Sequence, residues 1–181
     1  MIELLRPEDA IAMQHVKRWH MVRVNRIQSI AEHSHTVAML AVWLNELLGS
    51  PHKRAEVIEV ALIHDAYEIE YGDTPGVTKK YLDRKAGEYL AESTFWRKRA
   101  GEDRPSPSLG VRSVVDLADR LEAWAFYLLE GTDDRIKSAL WESFWTRFYD
   151  DWPLEARTKV WEFANRVILR NFTPQPGEDW K

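Results

Sequence analysis

The stretch Ala61-Leu62-Ile63-His64-Asp65-Ala66-Tyr67-Glu68 sets a histidine, an aspartate and a glutamate into a run that is otherwise apolar. Residues four apart lie on one helix face, so His64 and Glu68 point the same way, with Asp65 beside them. Burying such groups is costly unless something pairs with them. A divalent metal is one such partner, because it takes neutral imidazole and carboxylate together. Two further residues could reach the same ion. His33 falls in the first turns of one helical stripe, and Asp119 interrupts another, with Glu122 three residues on. Each also has a plainer use: His33 in capping or packing, Asp119 as the partner of Arg112 or Arg120. Two histidines with two carboxylates suit manganese, iron, cobalt, nickel or zinc better than magnesium, which prefers oxygen. Such an ion activates water near neutral pH and withdraws charge from a phosphoryl oxygen. Glu68 is placed to orient that water or to protonate a leaving group.

Anionic ligands need local cations, because the net charge is −4 and bulk charge will not hold nucleic acid. Arg18, Arg23 and Arg26 surround Trp19, a set that can grip an anion and stack on a flat ring. A basic surface loop with an anchoring tryptophan has the same composition. Lys79, Lys80, Arg84 and Lys85 stand near the start of a later helix, where they oppose the macrodipole. That points to a nearby anion or to a solvated face. Asp73 sits in the turn Tyr71 to Gly76, where a turn-forming role is equally open.

The elements that must position these groups are helices. Pro7 to about Lys17 has proline and acids in its first turn, and Ser29-Ile30-Ala31-Glu32 is a capping box for a helix to about Leu48. Pro51 to about Tyr71 reads as one central helix carrying His64, Asp65 and Glu68. Further helices are expected from Thr78 to about Arg99, Val111 to Glu130, Thr132 to about Tyr149, and Pro153 to about Asn171. The last two carry aromatic stripes suited to core or to a subunit interface. No segment alternates as strands do. The expectation is all-α, a single domain of about six or seven helices over residues 1–172 with a loose tail at 173–181. With 181 residues and 45% hydrophobic content there is material for one core. There is no cysteine, which removes thiolate ligands and nucleophiles and suits a reducing compartment. No signal-like start and no membrane-length run are visible, so the cytoplasm is the expected location, a host's if the source is viral.

The order His33 … His64-Asp65 … Asp119 resembles the HD superfamily of metal-dependent phosphohydrolases. More narrowly, Arg18-Trp19 … Glu32-His33-Ser34 … His64-Asp65-Ala66-Tyr67-Glu68 … Gly72-Asp73-Thr74-Pro75 … Ala118-Asp119 resembles the bacterial 5′-deoxynucleotidase branch. The resemblance implies that His33, His64, Asp65 and Asp119 hold one divalent transition metal: cobalt, zinc or manganese. Magnesium at the substrate phosphates is a further option. It implies that Arg18 and Lys79 hold phosphate, and that Glu68 and Asp73 work with the nucleophilic water and the substrate. Trp19 would lie against the sugar and favour deoxyribose. Base selection would come from Trp19, His20 and Met21, while Arg23, Arg26, Lys79, Lys80 and Arg84 could extend the anion site. Compact phage enzymes of the 2-aminoadenine pathway resemble the same branch and take the whole triphosphate from dATP. That activity is the first expectation, with hydrolysis of deoxynucleoside monophosphates as the alternative. A non-catalytic nucleotide-binding HD protein is the reading from another class. The resemblance further implies a helical homo-oligomer acting on a small deoxynucleotide, with no membrane partner and no bulk nucleic-acid binding.

Overall fold

The computed structural model describes residues 6–49, 52–73, 84–100, 107–149 and 152–172. Lys79, Lys80 and the tail from Thr173 lie outside the described residues, as does the side chain of Arg84. Among the described residues the regular structure is entirely helical. The helices are α1 (Pro7–Ala12), α2 (Ile30–Leu47), α3 (Arg54–Ile63), α4 (Glu68–Tyr71), α5 (Arg84–Ala100), α6 (Leu109–Glu130), α7 (Asp134–Tyr149) and α8 (Leu154–Phe172). None of them is long and apolar enough to cross a membrane.

The core forms where α2, α3 and α6 pack on one another, with α7 and α8 against α6. The expected stripe of α2 supplies Val37, Ala41 and Leu44, and α6 supplies Val111, Val114, Leu117, Ala118 and Leu121. The aromatic stripes fill the gap between α6, α7 and α8. Trp141 packs on Trp124 at 4.7 Å and on Trp145 at 5.3 Å. Burying these faces supplies the helices' stability, since propensity alone holds short helices only marginally.

Two helices differ from the sequence expectation. The first ends at Ala12 instead of about Lys17, because the chain tightens through three-residue bonds from Gln14 to Ile11 and from His15 to Ala12. Lys17 then pairs with Ser29, closing residues 17–29 into a loop. The expected central helix begins at Arg54, with Lys53 as its N-cap, and breaks after Ile63. There the His64 ring hydrogen-bonds the Ala61 carbonyl at 2.7 Å, and the backbone passes through three-residue bonds Ala66 to Ile63 and Glu68 to Asp65. The one-turn α4 follows and stops at Gly72, whose φ of 77° a side chain would resist.

A clamp fixes α4. Arg99 on α5 donates to both carboxylate oxygens of Asp9 at 2.8 Å, and to Glu70 on α4 at 2.9 Å. Its guanidinium lies 3.6 Å from the centre of the Phe95 ring. Hydrogen bonding to Arg99 holds the Asp9 carboxyl below its ordinary value, against the opposing effect of burial. Replacing Arg99 with alanine strands a largely buried carboxylate, so we expect a loss of about 3 kcal/mol in urea unfolding at neutral pH. Because Asp9 is depressed in the folded state, this contribution is present above the ordinary aspartate value and disappears as pH falls through the folded one. An unchanged unfolding midpoint would show that the clamp contributes no stability.

Candidate metal centre

Two helices and one turn converge on a single point. The capping box forms as expected: Ser29 Oγ accepts from the Glu32 amide at 3.2 Å, and Glu32 returns a bond to the Ser29 amide at 2.7 Å. This fixes the start of α2 and drives His33 fully into the interior. The turn after α3 presents His64 and Asp65, and α6 presents Asp119. His33 Nε2 lies 3.1 Å from Asp119 Oδ1 and 3.6 Å from Asp65 Oδ2, and His64 Nε2 lies 3.3 Å from the same Asp65 oxygen. One ligand atom each of His33, His64 and Asp119 lies within 4.8 Å of the other two. Four donors placed tetrahedrally around a zinc-sized ion stand about 3.4 Å apart, which these contacts approach.

The donor chemistry fits as well. His33 Nε2 and His64 Nε2 are buried and make no well-directed hydrogen bond among the described residues. Their other nitrogens are occupied. His33 Nδ1 meets Glu122 Oε2 at 2.6 Å, and His64 Nδ1 donates to the Ala61 carbonyl. A carbonyl only accepts, so Nδ1 of His64 carries the proton and Nε2 keeps its lone pair for an ion. Arg120, one of the two arginines the sequence offers Asp119, pairs instead with Asp116 at 3.1 Å.

Charge is balanced locally. Arg18 Nη1 donates to Asp65 Oδ2 at 2.9 Å. Burial alone would weaken the Arg18 charge, but Asp65, Asp119, Asp73 and Glu122 raise its pKa above the ordinary value. Burial likewise opposes ionisation of Asp65 and Asp119. His64, Arg18 and His33 nevertheless draw Asp65 below the carboxylate range, and the His33 contact with the surrounding positive groups holds Asp119 well below it. For His33, burial and Arg18 disfavour the imidazolium, but Glu122 and Asp119 outweigh them and push it up to about 9. A metal ion must displace that proton. Zinc affinity should therefore rise about tenfold per pH unit between about pH 6 and pH 8, as calorimetric titration would measure. A flat profile would contradict a charged His33 in the metal-free protein.

The other expected residues are placed as follows. Glu68 is buried on α4, one turn beyond His64. Asp73 lies near His20, with 3.9 Å between Oδ2 and Nδ1. Trp19 is buried, 5.7 Å from Phe126 in a near-parallel stack and 5.3 Å from Tyr127. Its φ is 67°, a left-handed conformation that costs on the order of 1–3 kcal/mol for a bulky residue. That strain turns Arg18 and Trp19 to different environments: the guanidinium to Asp65, the indole to the aromatic pair on α6. Gly131 lets the loop end close on Tyr127, since a Cβ there would come within 2.3 Å of the ring.

Met21 and Arg23 line an open groove of about 680 Å³ with Val22, Tyr127 and Thr132 to Ile136, and none of the four metal-type residues lines it. Arg26 forms ion pairs with Glu32 at 2.6 Å and Glu130 at 3.6 Å. Lys79 lies outside the described residues. Two contributors had little or no sequence signal. Glu122 showed only its three-residue spacing from Asp119, and Gln28, ahead of the capping box, showed none. Gln28 Nε2 donates to Glu122 Oε1 at 2.6 Å, and Gln28 Oε1 accepts from Trp19 Nε1 at 3.1 Å.

The model of the HD domain family matches residues 11–95. A dATP triphosphohydrolase of Salmonella phage PMBT28 is 36% identical over 137 residues, covering 70% of this chain and 68% of that protein. The 5′-deoxynucleotidase YfbR of Salmonella paratyphi B is 34% identical over 83 residues, covering 44% of this chain and 42% of its own length. Among solved structures, the cyanophage S-2L HD phosphohydrolase DatZ, bound to dA and one catalytic Zn2+ ion, superposes with a TM-score of 0.72. It is 22% identical and covers 92% of this chain and 98% of that one. The PH0347 protein of Pyrococcus horikoshii superposes with a TM-score of 0.61 at the same identity and coverage.

Proposed function

The chain belongs to the HD family of phosphohydrolases, and from that premise we propose that it hydrolyses dATP to deoxyadenosine and triphosphate. The observation that carries the reading is the convergence of His33, His64, Asp65 and Asp119 with two lone-pair nitrogens left for an ion. The choice of substrate is supported by the match to the phage dATP triphosphohydrolase, which runs over 137 residues against 83 for the deoxynucleotidase. Zinc is the ion we favour, because the donor set is two imidazoles and two carboxylates. A catalytic zinc is also what the cyanophage protein holds.

In this reading His33, His64, Asp65 and Asp119 hold the ion, which when bound supplies Lewis acidity toward water and a phosphoryl oxygen. Arg18 has one nitrogen on Asp65 and offers the rest of its planar fork to phosphate. Glu68 takes a proton from the attacking water as oxygen joins the phosphorus bonded to the 5′ oxygen. The bond from that phosphorus to the 5′ oxygen breaks, deoxyadenosine leaves with its 5′ oxygen taking the proton from Glu68, and the triphosphate keeps the oxygen that came from water. Asp73, with His20 beside it, orients the nucleotide. Trp19 closes the sugar side against a ribose hydroxyl, Met21 and Arg23 contribute to base and phosphate contacts, and Lys79 adds phosphate charge. Magnesium at the triphosphate is compatible with this scheme. We further read residues 1–172 as the HD domain of a cytoplasmic homo-oligomer.

The second reading, a 5′-deoxynucleotidase, is favoured by the aligned deoxynucleotidase stretch. Incubation with each deoxynucleoside mono- and triphosphate in the presence of zinc, cobalt or manganese, followed by chromatography, separates the two. Deoxyadenosine with intact triphosphate from dATP is the expected result. Orthophosphate from several monophosphates, with triphosphates untouched, would establish the second reading instead.

A further inference from the structure

We infer that Gln28 is a positioning residue that couples the metal ligand His33 to Trp19, so that an ion at the one and a nucleoside against the other reinforce each other. The inference rests on the metal and substrate roles proposed above for these two residues. Four side chains form one buried line: Trp19 Nε1 to Gln28 Oε1 at 3.1 Å, Gln28 Nε2 to Glu122 Oε1 at 2.6 Å, and Glu122 Oε2 to His33 Nδ1 at 2.6 Å. The polarity of this line is fixed from one end. An indole N–H can only donate. It therefore demands the carbonyl oxygen of Gln28, which turns the amide NH2 to Glu122. Glu122 accepts from Gln28 on one oxygen and meets His33 on the other, so the proton on His33 stays at Nδ1. Once Nε2 gives up its own proton, its lone pair faces Asp119 and Asp65, where the ion belongs.

Burial gives the line its strength. Trp19, Gln28, His33 and Glu122 are each less than a tenth exposed, so water does not readily replace a lost link. The backbone reinforces it: the Arg18 amide donates to the Gln28 carbonyl at 2.8 Å, holding the Trp19 turn beside the residue that reads its indole. The left-handed φ of Trp19 persists because these contacts over-determine it. An ion that orders His33 thus orders Glu122, Gln28 and Trp19 in turn. By linkage, a ligand that orders Trp19 must tighten the ion by the same factor.

The test is zinc titration of the full chain by calorimetry, with and without deoxyadenosine, which carries no phosphate to touch the ion. In the unaltered protein we expect deoxyadenosine to tighten zinc by about fivefold or more. Gln28→Leu should weaken zinc by roughly tenfold and remove most of the deoxyadenosine effect. Trp19→Phe keeps a ring for Phe126 and Tyr127 but deletes the N–H; it should likewise remove the effect, and it serves should Gln28→Leu fail to fold. An undiminished deoxyadenosine effect in these variants would overturn the coupling. So would an unaltered protein that binds zinc and deoxyadenosine independently. An unaltered protein that binds no zinc would overturn the metal reading itself, and the coupling with it, and the zinc-alone titration reveals that case separately.

Discussion

Glu68→Ala should lower turnover by roughly 10³- to 10⁴-fold while zinc binding stays within about twofold of the unaltered protein. Glu68 is only 2% exposed and stands four positions beyond His64, on the short helix that follows the donor turn. A carboxylate buried on a single helical turn, and backed by the Arg99–Glu70 pair, is held for a task. Taking the proton of attacking water fits the chemistry of the neighbouring donors. Glu68→Gln keeps the volume and hydrogen-bonding reach, so its rate separates lost proton transfer from a cavity on α4. Steady-state rates on dATP with zinc titrations on both variants provide the check. If Glu68→Ala keeps most of its rate, the residue is structural.

Asp119→Ala should abolish both tight metal binding and activity. The residue supplies an oxygen 3.1 Å from His33 Nε2, at the point where the buried Nε2 atoms of His33 and His64 have no well-directed hydrogen bond among the described residues. Losing a partner one step removed from an ion typically weakens binding about 10- to 100-fold, and losing a direct ligand should exceed that. Asp119→Asn keeps the shape but gives up the negative charge, and should bind zinc more weakly than the unaltered protein and more tightly than alanine. Metal content after dialysis and calorimetric affinity measure both variants. A fully metallated, active Asp119→Ala protein would remove the residue from the ligand set.

What the sequence made legible follows from how local each determinant is. The Ser29-to-Glu32 capping box and the α2 stripe are carried by residue types at short spacings, and the structure forms them as those spacings imply. His33, His64 and Asp119 stand far apart in sequence and were joined only by their residue types and a family resemblance; the structure sets one ligand atom of each within 4.8 Å of the others. The break after Ile63 was not legible, because no glycine or proline stands there. It arises when the His64 ring takes the Ala61 carbonyl. Gln28 and Arg99 were hidden for a different reason. Their partners are 94 and 90 positions away, at Glu122 and Asp9, and no local pattern announces such a pair. Arg26 adds partners no local pattern announced: folding brings Glu32 and Glu130 against it.

The central claim is that the Glu68-assisted water attacks the phosphorus bonded to the 5′ oxygen. Turnover of dATP in heavy-oxygen water, with mass spectrometry of both products, tests it most directly. The account predicts one heavy oxygen in triphosphate and none in deoxyadenosine. Label in the deoxyadenosine 5′-hydroxyl, or label released as orthophosphate with dADP as the other product, would contradict it.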